Sequence, residues 1–309
     1  MNFKPTQIAA ILALFGTIAQ ETYGLERVAL NATTFIPMQD GVKPWQSAWG
    51  YKTVTEVGMA AFIADYADDL PPIAKFLTPK SVGIKTIGDS YAYSEFELQQ
   101  WLATGVDVSR DDAELARQKI DEKVDDVLLL GDEVQGVTGL FNNENVTVVE
   151  SSANAGGTGT DFESKTFKEI VAQFRAVFNA QKSLYKDKKV STKFDSVILP
   201  DDAFSYLETT NISDNIDNID TSILDSLKSK FPQIVNWYRS ELLEDAGANS
   251  TGRAVFYRKA KNVLSYVLPE PFRQKNPQEC ALHYKVPCYA RTGGTVIKNL
   301  KGIMYCDGV

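Results

Sequence analysis

Between Ser109 and Leu130, Ala113, Ala116, Ile120, Val124, Val127 and Leu128 recur at three- and four-residue spacing and fall on one stripe of a helix. Asp121, Glu122, Lys123 and Asp125 face elsewhere. Ser109 and Asp112 form a capping box at the start, and Gly131 supplies the residue that ends the helix. Roughly 20 residues at about 1.5 Å rise make a rod on the order of 30 Å, long for an ordinary globular domain.

The rest of the chain is organised around that rod. Residues 25 to 50 hold Pro37, Gly41, Pro44 and Gly50 with isolated apolar residues, which reads as an extended arm. Alternation from Tyr51 to Val57 predicts a strand, and a second is predicted from Ser81 through Ile84 to Ile87. Between them, Met59 to Pro79 forms a long excursion that needs another surface to hold it. Beyond the rod, an amphipathic helix is predicted from about Glu163 to Tyr185, a strand at Phe194–Leu199, a short helix at Ala203–Leu207, and a helix at Ser222–Phe231 capped by Thr221. The final third reads as strands at Arg253–Arg258, Val263–Leu268, Ala281–Ala290, Thr295–Ile297 and Ile303–Cys306. The class is α+β.

Composition narrows the chemistry. The 309 residues carry 32 basic and 40 acidic side chains, a net charge of −8, the wrong sign for a protein that coats nucleic acid through counterion release. His283 is the only histidine, which removes three-histidine zinc sites and leaves one possible place for a histidine-based catalytic pair. Cys280, Cys288 and Cys306 are an odd set without CxxC spacing, so buried thiols in a reducing compartment are preferred to a disulfide framework. In a continuous strand Cys280 and His283 would point to opposite faces, against a shared zinc site. The glycines between Gly131 and Gly139, and those at Gly156, Gly157 and Gly159, lack the Gly-Lys-Ser/Thr of a phosphate loop. Asp201 and Asp202 read as first-turn acids of a helix rather than a catalytic pair, and Asn211 to Asp220 lacks the spacing of a calcium loop. No catalytic residue, cofactor or metal is expected.

At the start, Lys4 and the apolar run Ile8 to Phe15 imitate a secretory signal, but the run is too short to span a bilayer. A partner-seeking arm fits the cysteine usage better. Sequons at Asn31, Asn145, Asn211 and Asn249 matter only in a glycosylating pathway.

The order of parts, with Tyr91-Ala92-Tyr93-Ser94-Glu95-Phe96-Glu97-Leu98 before the rod, Gly131-Asp132 through Gly139-Leu140-Phe141-Asn142 after it, and Arg291-Thr292-Gly293-Gly294-Thr295-Val296 near the end, resembles a tailed-phage major capsid protein. The resemblance covers most of residues 50 to 309 and implies the Hong Kong 97 phage capsid fold, shared with encapsulins. Carried over by position, residues 1–46 become the N-terminal arm, 47–90 the extended loop, 91–161 the peripheral domain with spine helix 109–130, and 162–264 the axial domain. Residues 265–309 supply strands that return to these sheets. The implied function is a subunit of pentamers and hexamers in an icosahedral head enclosing double-stranded DNA, located in the virion and assembled in the host bacterial cytoplasm. Implied partners are further copies, a separate scaffold protein, a portal, a decoration protein, and DNA contacted weakly and without sequence preference. No membrane is implied, and no crosslinking lysine can be matched.

A shell subunit must bury surface against several neighbours, and an arm and an excursion that do not pack within their own chain supply it. Trp45, Trp49, Tyr51, Phe62, Tyr66 and Phe76 are the expected intersubunit contacts, because aromatic residues anchor interfaces. An encapsulin-like compartment enclosing protein cargo is the alternative, and a secreted binding protein a weaker one.

Overall fold

A computed structural model describes residues 30–57, 74–104, 109–157, 159–185, 192–212 and 221–309. The proposed apolar arm segment at residues 8–15 and the centre of the excursion lie outside these residues, as does the Asn-rich stretch after Ile212.

Part of the described arm, residues 32–36, is a packed element, contrary to the extended reading, while residues 37–46 are irregular and largely exposed. Helix α1 (Ala32–Phe35) is a single turn in which Ala32, Phe35 and the following Ile36 are buried. The Ala32 amide donates to Asp125 Oδ1 at 2.8 Å, the Tyr257 hydroxyl donates to the Phe35 carbonyl at 2.9 Å, and Met38 forms a parallel bridge with Tyr266. Asp125 thus caps α1 across 93 residues of sequence instead of facing solvent. Prolines and glycines punctuate this stretch without preventing three apolar side chains, Ala32, Phe35 and Ile36, from reaching the core.

Strands β1 (Ala48–Val57) and β2 (Ala74–Gly83) form an antiparallel hairpin in continuous register from Ala48↔Gly83 to Val57↔Ala74. The single strand predicted over Ser81–Ile87 is divided at Ile84, which is buried. After it, β3 (Lys85–Ser94) leaves the hairpin and pairs with β13 (His283–Thr292). Helix α2 (Glu95–Thr104) then leads toward α3 (Ser109–Leu129). At about 31 Å, α3 buries the predicted stripe together with Leu129. The side chain of Ser109 lies outside the description, so its capping box does too.

Gly131 adopts φ 79° where α3 ends, and the turn closes through short strands β4 (Gly131–Asp132) and β5 (Val137–Thr138). A Cβ on Gly139 would sit 2.4 Å from the Gly131 nitrogen and the Leu130 carbonyl carbon, so this return of the chain requires glycine.

The second lobe is built on a five-stranded sheet in the order β6-β15-β9-β7-β8. Its strands are β6 (Thr147–Glu150), β7 (Ser196–Pro200), β8 (Asn236–Ser240), β9 (Arg253–Tyr257) and β15 (Ile303–Asp307). β7 and β15 are buried throughout because helices and core cover both faces. Alternate residues divide between two cores. Ile198, Val255, Tyr257, Ile303 and Tyr305 join α3, and Val197, Leu199, Phe256, Met304 and Cys306 meet helix α4 (Phe167–Ser183). Phe174 stacks on Phe231 and Trp237 and meets Phe256 edge-on in that second core.

Thr166 and Glu169 form a reciprocal capping box at α4. Helix α5 (Asp201–Thr209) carries Asp201 and Asp202 in its first turn, as expected. Helix α6 (Ile223–Lys230) is capped by Ser222, whose hydroxyl accepts from the Asp225 amide, rather than by Thr221. The remaining strands are β10 (Leu264–Val267), paired with β14 (Gly294–Ile297), and β11 (Glu270–Gln274) and β12 (Gln278–Cys280), both paired with β13.

Candidate assembly surfaces

The hairpin is anchored at its root and exposed along its described length. Trp49, Tyr51 and Val82 pack with Val42 against buried Ile84, Val267 and Val296. Trp49 stacks on Tyr51 with ring centroids 5.3 Å apart, and the Lys298 ammonium stands 5.2 Å from the Trp49 ring centroid. Arg291 donates to the carbonyls of Pro44 and Gln46, and the Ile84 amide donates to the Ser47 carbonyl at 2.8 Å. Beyond this root every residue from Lys75 to Ser81 is exposed, so both faces of β2 meet solvent, including Phe76 at 59% and Leu77 at 53%. Ten residues span about 33 Å. An isolated two-stranded ribbon is marginally stable, and apolar side chains on it seek a second surface.

Of the expected contact residues, Trp45 is 79% exposed on the turn before the hairpin, and Phe76 is exposed on the ribbon. Trp49 and Tyr51 are engaged at the root, and Phe62 and Tyr66 lie outside the described residues. The structure adds apolar residues that the sequence reading did not single out. Phe96 is 71% exposed at the start of α2, close to exposed Leu282, whose carbonyl accepts from the Glu95 amide at 3.0 Å. Val134, at 91%, stands on the turn after α3. Their signal was faint: single apolar residues in polar surroundings do not alter a helical or strand period.

A buried ion pair joins neighbouring strands β9 and β15 of the five-stranded sheet and reaches from there to the chain that follows α3. Arg253 donates from Nε to Asp307 Oδ1 at 2.6 Å, from Nη2 to Oδ2 at 2.8 Å, and from Nη1 to the Phe141 carbonyl at 2.8 Å. Its guanidinium lies 4.6 Å from the Tyr305 ring centroid. The Tyr305 hydroxyl donates to the Leu140 carbonyl at 2.5 Å and accepts from the Asn143 amide. The glycine turn that ends α3 is thereby fixed to the end of the five-stranded sheet.

The chemistry-bearing residues do not converge. Cys288 and Cys306 are buried in different cores, and burial pushes each thiol up to about 11. Cys280 and His283 face each other across a turn through Ala281, which has φ 39°, instead of alternating along one strand. Among the described residues no three His, Cys, Asp or Glu side chains gather as a metal site, and no helix is long and apolar enough to cross a membrane.

A two-lobed α+β subunit with a long helix and a projecting ribbon is the fold seen in phage capsid chains. Comparison with solved structures gives the same fold. A chain from the capsid of Myoviridae phage XM1 superposes with a TM-score of 0.74 at 16% identity, covering 94% of this chain and 95% of that one. A chain from Mycobacterium phage Adephagia gives 0.59 at 10% identity over 99% and 98%, and one from the virus-like particle of Pyrococcus furiosus gives 0.50 at 12% over 98% of each. No curated protein sequence matches. The sequence model of the Major capsid protein family matches residues 58–309, and the chain belongs to that family. It is a structural protein of the phage head, and its place is the virion capsid.

Proposed function

We propose that copies of this chain form the pentamers and hexamers of an icosahedral head around double-stranded DNA, with the hairpin reaching across to neighbouring copies. The observation that carries this reading is the ribbon from Lys75 to Ser81, exposed on both faces yet bearing Phe76 and Leu77. A soluble monomer has no use for such a surface, whereas a neighbour's apolar face would cover it. Trp45 and Phe76 are the described aromatic anchors of that contact, and Phe62 and Tyr66 belong to the same excursion. In this reading residues 1–46 act as arm, 47–90 as extended loop, 91–161 as peripheral domain, 162–264 as axial domain, and 265–309 as returning strands. Residues 32–36 of the arm serve their own subunit, since they are packed there, and Trp45 beyond them stays exposed for a neighbour.

The chain's negative charge suits a container that holds DNA by confinement, with weak contact and no sequence preference. A separate scaffold protein, a portal and a decoration protein complete the proposed set of partners, with assembly in the host bacterial cytoplasm. Match to the Major capsid protein family favours this over an encapsulin-like compartment. Purified chain, alone and with its scaffold, is tested by sedimentation and negative-stain microscopy. Rings or closed shells support the proposal. A compact monomer persisting at micromolar concentrations in both samples contradicts it.

A further inference from the structure

The five-stranded sheet is electrically polarised along its strands. At the end where β9 finishes and β7 and β15 begin, Lys193, Arg258, Lys259, Lys261, Lys298 and Lys301 come together. Hydrogen bonds fix this grouping: Arg258 amide to Gly302 carbonyl at 3.0 Å, Lys259 amide to Asp195 Oδ1 at 2.8 Å, and Lys298 Nζ to the Lys261 carbonyl at 2.6 Å. The acids at this end are engaged, Asp195 with the Ser196 hydroxyl and the Lys259 amide, and Asp40 with Lys261; Lys259 and Lys298 are held by the Thr34 carbonyl and Gln39 Oε1, which leaves Lys193 and Lys301 as the exposed cations that face outward.

At the other end, about 17 Å away along the strands, parallel β7 and β8 run out into Asp201, Asp202, Glu241, Glu244 and Asp245. These side chains share one space: burial, then the fields of Asp202, Asp201, Glu241 and Asp245, raise the Glu244 carboxyl. Arg239 meets Asp201 at 3.4 Å. Arg253, at the start of β9, is committed to Asp307. The domain therefore carries a surplus of cations at one end and of carboxylates at the other.

A ring of identical subunits is closed by a heterologous contact in which one patch meets a different, complementary patch on the next copy. We infer that the basic end of this sheet docks on the acidic end of the neighbouring copy within the ring. Such a pairing steers encounter, sets the direction in which copies follow one another, and opposes head-to-head contact, where like charges would meet. The inference rests on the shell reading and adds to it the surfaces that join copies laterally.

Charge reversal tests it. One variant carries Lys193→Glu with Lys301→Glu, a second carries Glu241→Lys with Asp245→Lys, and a third carries all four; all these side chains are exposed. Circular dichroism and thermal melts establish that each subunit folds, and sedimentation measures ring formation at about 0.05 M and 1 M salt, where the Debye length falls from more than 10 Å to about 3 Å. The inference expects each double reversal to weaken ring formation at least tenfold at low salt, the four-fold variant to restore it, and high salt to weaken the unmodified chain. Failure of the unmodified chain to form rings or shells would count against the shell reading itself. If it assembles and the folded double variants assemble equally well, or the four-fold variant stays monomeric, the lateral pairing is wrong. Intact rings with reduced DNA retention in the first variant would assign the basic end to nucleic acid instead and overturn the inference.

Discussion

Replacing Arg253 by Met keeps most of the aliphatic stem and removes the guanidinium that joins Asp307, the Phe141 carbonyl and the Tyr305 ring. The Asp307 side chain is 5% exposed and that of Arg253 12%, so water does not replace what is lost. Asp307 would retain the Ala248 amide, which donates to its Oδ2 at 3.1 Å. Breaking a buried ion pair from one side costs about 3–5 kcal/mol, because the remaining charge stays desolvated. With a urea slope of about 3 kcal/mol/M, the unfolding midpoint of unassembled subunit falls by about 1–1.7 M. Asp307→Leu should cost a similar amount. The double variant should recover at least about 2 kcal/mol of the summed loss, since no buried charge is then left unpaired. Urea titration followed by tryptophan fluorescence and circular dichroism measures all three. A loss under about 1 kcal/mol for Arg253→Met, or strict additivity of the two changes, would refute the claim that this pair is desolvated and coupled.

Asp125 offers a test of the arm: burial raises its carboxyl above the ordinary 3.8, so the folded state binds its proton more tightly than the unfolded chain. Its contribution therefore strengthens as pH falls through the raised value toward 3.8 and is weakest at neutral pH. Asp125→Asn, which keeps an acceptor for the Ala32 amide, should be at least as stable at pH 7 and lose its advantage near pH 4. Asp125→Ala should cost about 1 kcal/mol through loss of that cap, both read from thermal melts across pH. Mass-spectrometric alkylation of native subunit should label Cys280 first, while buried Cys288 and Cys306 react only on unfolding. Gly139→Ala should lower soluble yield and reduce stability by more than about 2 kcal/mol, because its Cβ meets backbone and not a movable side chain.

The rod at Ser109–Leu129 and the strands β9, β10, β13, β14 and β15 were legible because their apolar residues meet a core, whereas β8, β11 and β12, which are largely exposed or half-buried, were not predicted. The arm was not, since its order comes from Asp125 and Tyr257, 93 and 222 residues away, and a local pattern carries no trace of such partners. The apolar residues Val82, Ile84 and Ile87 read as one strand, so the break at Ile84, where the chain changes sheets, was hidden. The turn through Ala281 was hidden likewise, because a positive φ there has no glycine to announce it. At the candidate surfaces, exposed Trp45 and Phe76 could be named from residue type, but Trp49 and Tyr51 find their place only once Ile84, Val267 and Val296 are assembled beneath them. The charge polarity of the five-stranded sheet is invisible in sequence order, since topology alone brings Lys193, Arg258 and Lys301 to one end.

The most direct test of a subunit completed by its neighbours is to shorten the hairpin to its root. Replacing residues 53–78 by an Asn-Gly turn leaves Lys52↔Pro79 through Ala48↔Gly83 paired and the Trp49–Tyr51 stack in place. Electron microscopy and thermal unfolding of this variant beside the full chain should show a subunit that melts cooperatively, within a few degrees of the unassembled parent, and forms no closed shells. Shells of normal size from the shortened chain, or a subunit that no longer folds, would contradict the account.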